Sequence, residues 1–171
     1  MKKVALEDGR RGGLLTMPAV MTVTANGVDT SPIVRGVYVL ENILGTPPPP
    51  PPPDVEPLSP DLRGLSTLKE QLAGHRNQAA CKSCHQRIDP YGFAMENFDP
   101  IGRWRDQYPK PDKNAKQGMA IDTTATLPDG AEIANLTELK SRLMDRETDV
   151  VRCLVEKMAT CLLYTSPSPR D

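Results

Sequence analysis

Apolar residues recur at helical spacing in Ile33, Val34, Val37, Leu40, Ile43 and Leu44, which places an amphipathic helix over 32–44. Its ends are marked. Ser31 offers a cap oxygen, Pro32 suits a first turn that does not need its N–H, and Gly45 can close the helix. Upstream, Leu14 to Val23 is apolar without a clean period and reads as a short helix or turn. Downstream, Thr67-x-x-Glu70 is a capping box opening a helix with Leu68 and Leu72 on one face, running through Gly74 to about Ala79. Asp89-Pro90 repeats the cap-and-proline signal and predicts a short helix through Phe98. Then Pro109, Pro111 and Gly118 break the chain, and Ile121, Thr123, Ala125 and Leu127 alternate before a Pro128-Asp129-Gly130 turn. A β-hairpin or a pair of short strands fits that text. Two helices follow, about 136–145 and 149–160, the second with Val150, Val151, Leu154, Val155 and Met158 on its inner face. The fold class expected is mainly α with a small α+β C-terminal part: a helical module, a short hairpin and two helices.

Seven consecutive prolines, Pro47 to Pro53, interrupt this pattern, with Pro57 and Pro60 behind them. A polyproline II run of that length spans about 22 Å. No basic flank accompanies it, so a stiff spacer is preferred over a docking motif. The organisation expected is therefore an N-terminal helical part over 1–46, a Pro-rich linker over 47–65, a segment over 66–104 and a C-terminal domain over 105–160. The last stretch, Cys161 to Asp171, coincides residue for residue with the translation of a common sequencing-library adapter, and 161–171 is read as an assembly artefact. Met1-Lys2-Lys3 imitates the start of a signal peptide, but Glu7 and Asp8 interrupt any apolar core, so no export signal is expected in the text as written.

Composition narrows the function. Lys and Arg number 21 against 22 Asp and Glu, which removes the bulk positive charge that nucleic-acid binding needs. No apolar run approaches the length of a membrane span. Aromatics are only 4% of 171 residues, which leaves room for something other than side chains at the centre.

The chemistry lies in Cys81-Lys82-Ser83-Cys84-His85, the C-x-x-C-H pattern of covalent haem attachment. Two thiols one helical turn apart can both reach the vinyl groups of one haem, and the histidine behind them can ligate the iron. Cys81, Cys84 and His85 are thus the expected cofactor-binding residues, His85 the expected metal ligand, and haem c the expected cofactor. Three alternatives stay open, plain solvent-exposed thiols among them. A thioredoxin-like pair needs a strand–helix–strand setting, and structural zinc needs four ligands, of which Cys81, Cys84, Cys153 and one histidine are the available set. Tyr91, Phe93, Phe98, Trp104 and Tyr108 follow the motif and could wall a porphyrin, while Arg103 and Arg105 could meet propionates or face solvent. For a distal ligand, Met119 in a loop, Met95 in a predicted helix and His75 are the candidates, as is no ligand at all. Cys153 reads as a buried, inert thiol. No residue is assigned a catalytic role.

At this point the residues carry a resemblance. Arg11-Gly12-Gly13-Leu14-Leu15-Thr16, Thr30-Ser31-Pro32, Arg35-Gly36 and Leu40-Glu41-Asn42-Ile43-Leu44-Gly45, then His75-Arg76, Cys81-x-x-Cys84-His85, Asp89-Pro90-x-Gly92-Phe93-Ala94 and Glu96-Asn97-Phe98-Asp99, resemble a planctomycete-type cytochrome c module. From about Gly102 through Ile121-Asp122, Leu127-Pro128-Asp129-Gly130 and Glu138-Leu139-Lys140 the chain resembles the domain of unknown function that ends such proteins. The resemblance spans roughly 9–160. It implies a cytochrome c-like helical module with haem on Cys81 and Cys84, iron on His85, and a large parent protein that is periplasmic, cell-surface or secreted. An electron-transfer module is expected, whose partners are the parent's other domains and an unidentified redox partner. A haem enzyme domain with an open distal site, peroxidase-like or dehydrogenase-associated, is the alternative, and a structural zinc or interaction module a third.

Overall fold

The computed structural model describes residues 9–51, 68–75, 79–110 and 114–163. Among these the fold is mainly α, with one two-stranded antiparallel sheet. A 3₁₀ turn over Leu14–Thr16 leads into α1 (Pro18–Val23) and then α2 (Pro32–Tyr38). The Ser31 hydroxyl accepts the Val34 amide at 3.3 Å, as a cap does. Beyond Tyr38 the helix widens into a π turn over Val39–Ile43. Gly45 then ends it with a φ of 65°, and the Thr46 amide closes onto the Leu40 carbonyl at 2.8 Å. Pro47 to Pro51 carry no helix or strand; the rest of the expected spacer and the Thr67 cap lie outside the described residues.

Helices α3 (Leu68–His75) and α4 (Ala79–Phe93) follow. The sequence signal at Asp89-Pro90 misleads: α4 does not start there but runs through Pro90. Asp89 is engaged with His85 one turn earlier and is not a cap. Pro90 withholds one backbone hydrogen bond, and burial of Ile88, Tyr91 and Phe93 on either side of it holds the helix together.

Helices α2 and α4 cross closely, and two glycines set the distance. A Cβ on Gly36 would drive into the Ile88 carbonyl, and one on Gly92 into the Pro32 carbonyl. Each helix therefore lays its glycine against the other's backbone. Around that crossing Met21, Val39, Leu44, Tyr91, Met95 and Phe98 build the main core. Below it a charged clamp is buried. Arg35, fully enclosed, donates to the Met95 and Phe98 carbonyls at 2.9 and 2.8 Å and pairs with Glu96 Oε1 at 3.2 Å. Glu96 Oε2 also accepts from Thr30 at 2.8 Å and from Arg105 at 3.1 Å. Burial draws the Arg35 pKa down while the Glu96 charge opposes it. For Tyr108, burial and then the same Glu96 charge push the phenol up.

Strands β1 (Ala125–Thr126) and β2 (Glu132–Ile133) form the hairpin around Pro128-Asp129-Gly130. Helix α5 (Leu136–Met144) opens at Asn135, whose side chain accepts the Glu138 amide at 3.1 Å, and it buries Leu136, Leu139 and Leu143 in the main core. Helix α6 (Glu147–Leu163) departs from expectation. Val151, Leu154, Val155 and Met158, read as its inner face, are all more than half exposed. Contact is made instead by half-buried Val150 and by buried Cys153, whose Cβ lies under Gly45 and whose thiol points at the Glu41 carbonyl. Helix α6 meets the π turn and α5.

Candidate functional site

The helical register of α4 sorts its side chains into two stripes. At about 100° per residue, Cys84, Ile88 and Tyr91 fall on one, and His85, Asp89 and Phe93 on the other. Cys81 stands between them. The first stripe faces the core: Ile88 and Tyr91 belong to it and Cys84 packs against it. The second faces a cleft of about 860 Å³. Its near wall is His85, Gln86, Asp89, Pro90 and Phe93, and its far wall is the β1–β2 hairpin together with Glu138 at the start of α5. The volume lies within the range of cofactor sites. Residues from both sides of the expected 104/105 boundary build it.

The key contact is local. His85 Nδ1 lies 2.9 Å from Asp89 Oδ1, with the imidazole 12% and the carboxylate 2% exposed. Sequence reading took Asp89 for a cap and missed this role. The i,i+4 spacing of His85 and Asp89 was the available signal. Lys69 of α3 also lines the cleft, 5.7 Å from the Phe93 ring centroid, and donates to Asp122 and the Thr124 carbonyl, each at 2.6 Å. Burial pushes the Asp122 carboxyl up. The hydrogen bonds from Lys69 and Thr124, with the Lys69 charge, override that and bring it down to about 2.

Other expected site residues fall elsewhere. Of the five aromatics following the motif, only Phe93 borders the cleft. Tyr91 and Phe98 fill the main core, Trp104 packs edge-on against Phe98, and Tyr108 joins Phe93 and Leu72 in a second cluster. Neither arginine lines the cleft: Arg103 is exposed beside Asp99, and Arg105 belongs to the Glu96 clamp. Met119 is partly buried against the cluster of Leu72, Phe93 and Tyr108 and does not line the cleft. Met95 is enclosed in the main core, and Met144 and Met158 are exposed. Among the described residues, no three His, Cys, Asp or Glu side chains converge as a metal-holding group, and no helix is long and apolar enough to cross a membrane.

The donor set nevertheless fits a haem held covalently. One imidazole and two thiols occupy adjoining positions within an arc of about 100° around α4; the imidazole opens on the cleft, whereas neither Cys81 nor Cys84 is part of its lining. Cys84 is the member turned furthest towards the core.

Residues 11–108 match the family model PSCyt3, described as a protein of unknown function (DUF1588). No curated protein and no solved structure matches the chain.

Proposed function

The chain belongs to the PSCyt3 (DUF1588) family, a planctomycete-type cytochrome C-terminal domain family of unknown function, and from that premise we propose that α4 carries a covalently bound haem c and serves as an electron-transfer module. The observation that carries this reading is Cys81, Cys84 and His85 on one turn of α4, with His85 on the wall of the cleft. Cys81 and Cys84 would hold the group through thioether links, whose formation from a thiol and a vinyl group needs no oxidant. His85 would supply a nitrogen ligand to its iron. With Nδ1 turned to Asp89, Nε2 would be the nitrogen that ligates the iron. When bound, the iron supplies reversible one-electron chemistry. Phe93 and the hairpin would shield a group bound in the cleft from water, and Lys69, paired with Asp122, adds a cation to the cleft wall. The parent protein is proposed to be periplasmic, cell-surface or secreted, because covalent haem attachment in bacteria is completed outside the cytoplasmic membrane.

The test is expression with export in a haem-maturing host. A haemochrome spectrum and a mass increase of one haem on denatured protein are expected. Cys81→Ala and Cys84→Ala should weaken or abolish attachment, and Cys153→Ala should leave it intact. Colourless protein without added mass overturns the proposal. Cyanide added to oxidised protein then separates electron transfer, with an unchanged low-spin spectrum, from an enzyme with an open distal position.

A further inference from the structure

We infer that Asp89 is a positioning residue for His85, setting which ring nitrogen meets the iron and holding the iron's reduction potential low; this rests on the haem reading above. The geometry is specific. Asp89 Oδ1 lies 2.9 Å from Nδ1, within a buried helical pair. An ionised carboxylate only accepts hydrogen bonds, so Nδ1 carries the proton and Nε2 presents its lone pair. Helix α4 is pinned on both sides of Asp89. Pro90 limits the backbone directly after Asp89, Ile88 is buried in the core, and Gly92 is seated against the Pro32 backbone. The Asp89 backbone is thus fixed relative to the α2–α4 crossing.

The electrostatic consequence follows from position. A negative charge one hydrogen bond behind the ligand raises the basicity of Nε2 and favours ferric over ferrous iron. Across the cleft stand Lys69, Glu132 and Glu138, all more accessible than Asp89 and better screened by water. Asp89 is an enclosed carboxylate 2.9 Å from the imidazole.

Two measurements test this independently. In haem-free protein, nitrogen NMR at about pH 8.5, above the ordinary imidazole range, reads the tautomer directly. The chain has only two histidines, so His85→Gln assigns the signals. Wild type should show His85 protonated at Nδ1, and Asp89→Leu should return it to the mixture of a free imidazole. An Nε2-protonated His85 in wild type overturns the inference. In haem-loaded protein, Asp89→Asn keeps the size and an acceptor but removes the charge, so the potential should move positive, and Asp89→Glu should move it back. Equal potentials in wild type and Asp89→Asn overturn the inference even when both carry haem. If wild type takes up no haem, the haem reading fails, and the NMR result still decides whether Asp89 orients His85.

Discussion

The α2–α4 crossing and helix α6 carry similar stretches of apolar sequence but are held very differently. At the crossing two glycines admit the opposing backbones, a buried Arg35–Glu96 pair spans the turn after α4, and side chains from both ends of the chain close over it. Helix α6 touches the body along Val150 and Cys153, leaving Val151, Leu154, Val155 and Met158 in solvent. Apolar content therefore does not decide burial. What decides it is whether the opposing surface has matching length and shape.

That contrast makes graded predictions, the largest at the clamp. Arg35→Met should cost about 4 kcal/mol, since it strips a buried carboxylate of one partner and removes the donor that Arg35 gives the Met95 and Phe98 carbonyls. A chemical denaturation curve reads this, and a loss below about 1 kcal/mol would mean that Arg105 alone can satisfy Glu96. Gly36→Ala should follow at about 3 kcal/mol, because its new methyl meets rigid backbone and not a movable side chain. Thermal melting measures it, with Gly130→Ala as the contrasting site where there is open space but a φ of 85°.

Lys69→Met probes the pair that ties α3 to the segment before the hairpin. The Asp122 pKa is depressed in the folded state. Its contribution is therefore fully present above the unfolded value near ~4 and lost as pH falls through about 2. Both partners are partly exposed, so the loss at neutral pH should stay below about 1 kcal/mol. Wild type and variant stabilities should converge as acid is added, in denaturation curves taken across that window. The smallest effect belongs to α6: replacing Val151 and Val155 by Ser should alter stability by no more than about 0.5 kcal/mol. A loss above about 2 kcal/mol in this variant would show that those side chains are covered, erasing the contrast between the two regions.

Legibility in the sequence followed the range of the interactions. The Ser31 cap, the Gly45 stop, the hairpin turn and the fold class are set by neighbours within a few residues, and they were readable. So was the spacing of Cys81, Cys84 and His85. Reading failed where a local signal had a long-range competitor. Asp89-Pro90 has the composition of a helix start, yet Asp89 turns to His85 and the burial around Ile88 carries the helix through the proline. The aromatics after the motif were legible as a cluster but not as core, because their partners Met21, Leu15 and Leu72 are distant in sequence.

By itself, then, the order of residues determined α2 with its Ser31 cap and Gly45 stop, the hairpin turn, the last two helices and the spacing of Cys81, Cys84 and His85, since each depends on hydrogen bonds and spacing within one or two turns. Only the tertiary structure decided that His85 opens on a cleft while Cys84 leans on the core, that Arg35 and Glu96 are buried together, and that α6 keeps most of its apolar face in water. Those outcomes depend on which distant surfaces meet and how closely their backbones approach, and helical periodicity carries no information about either.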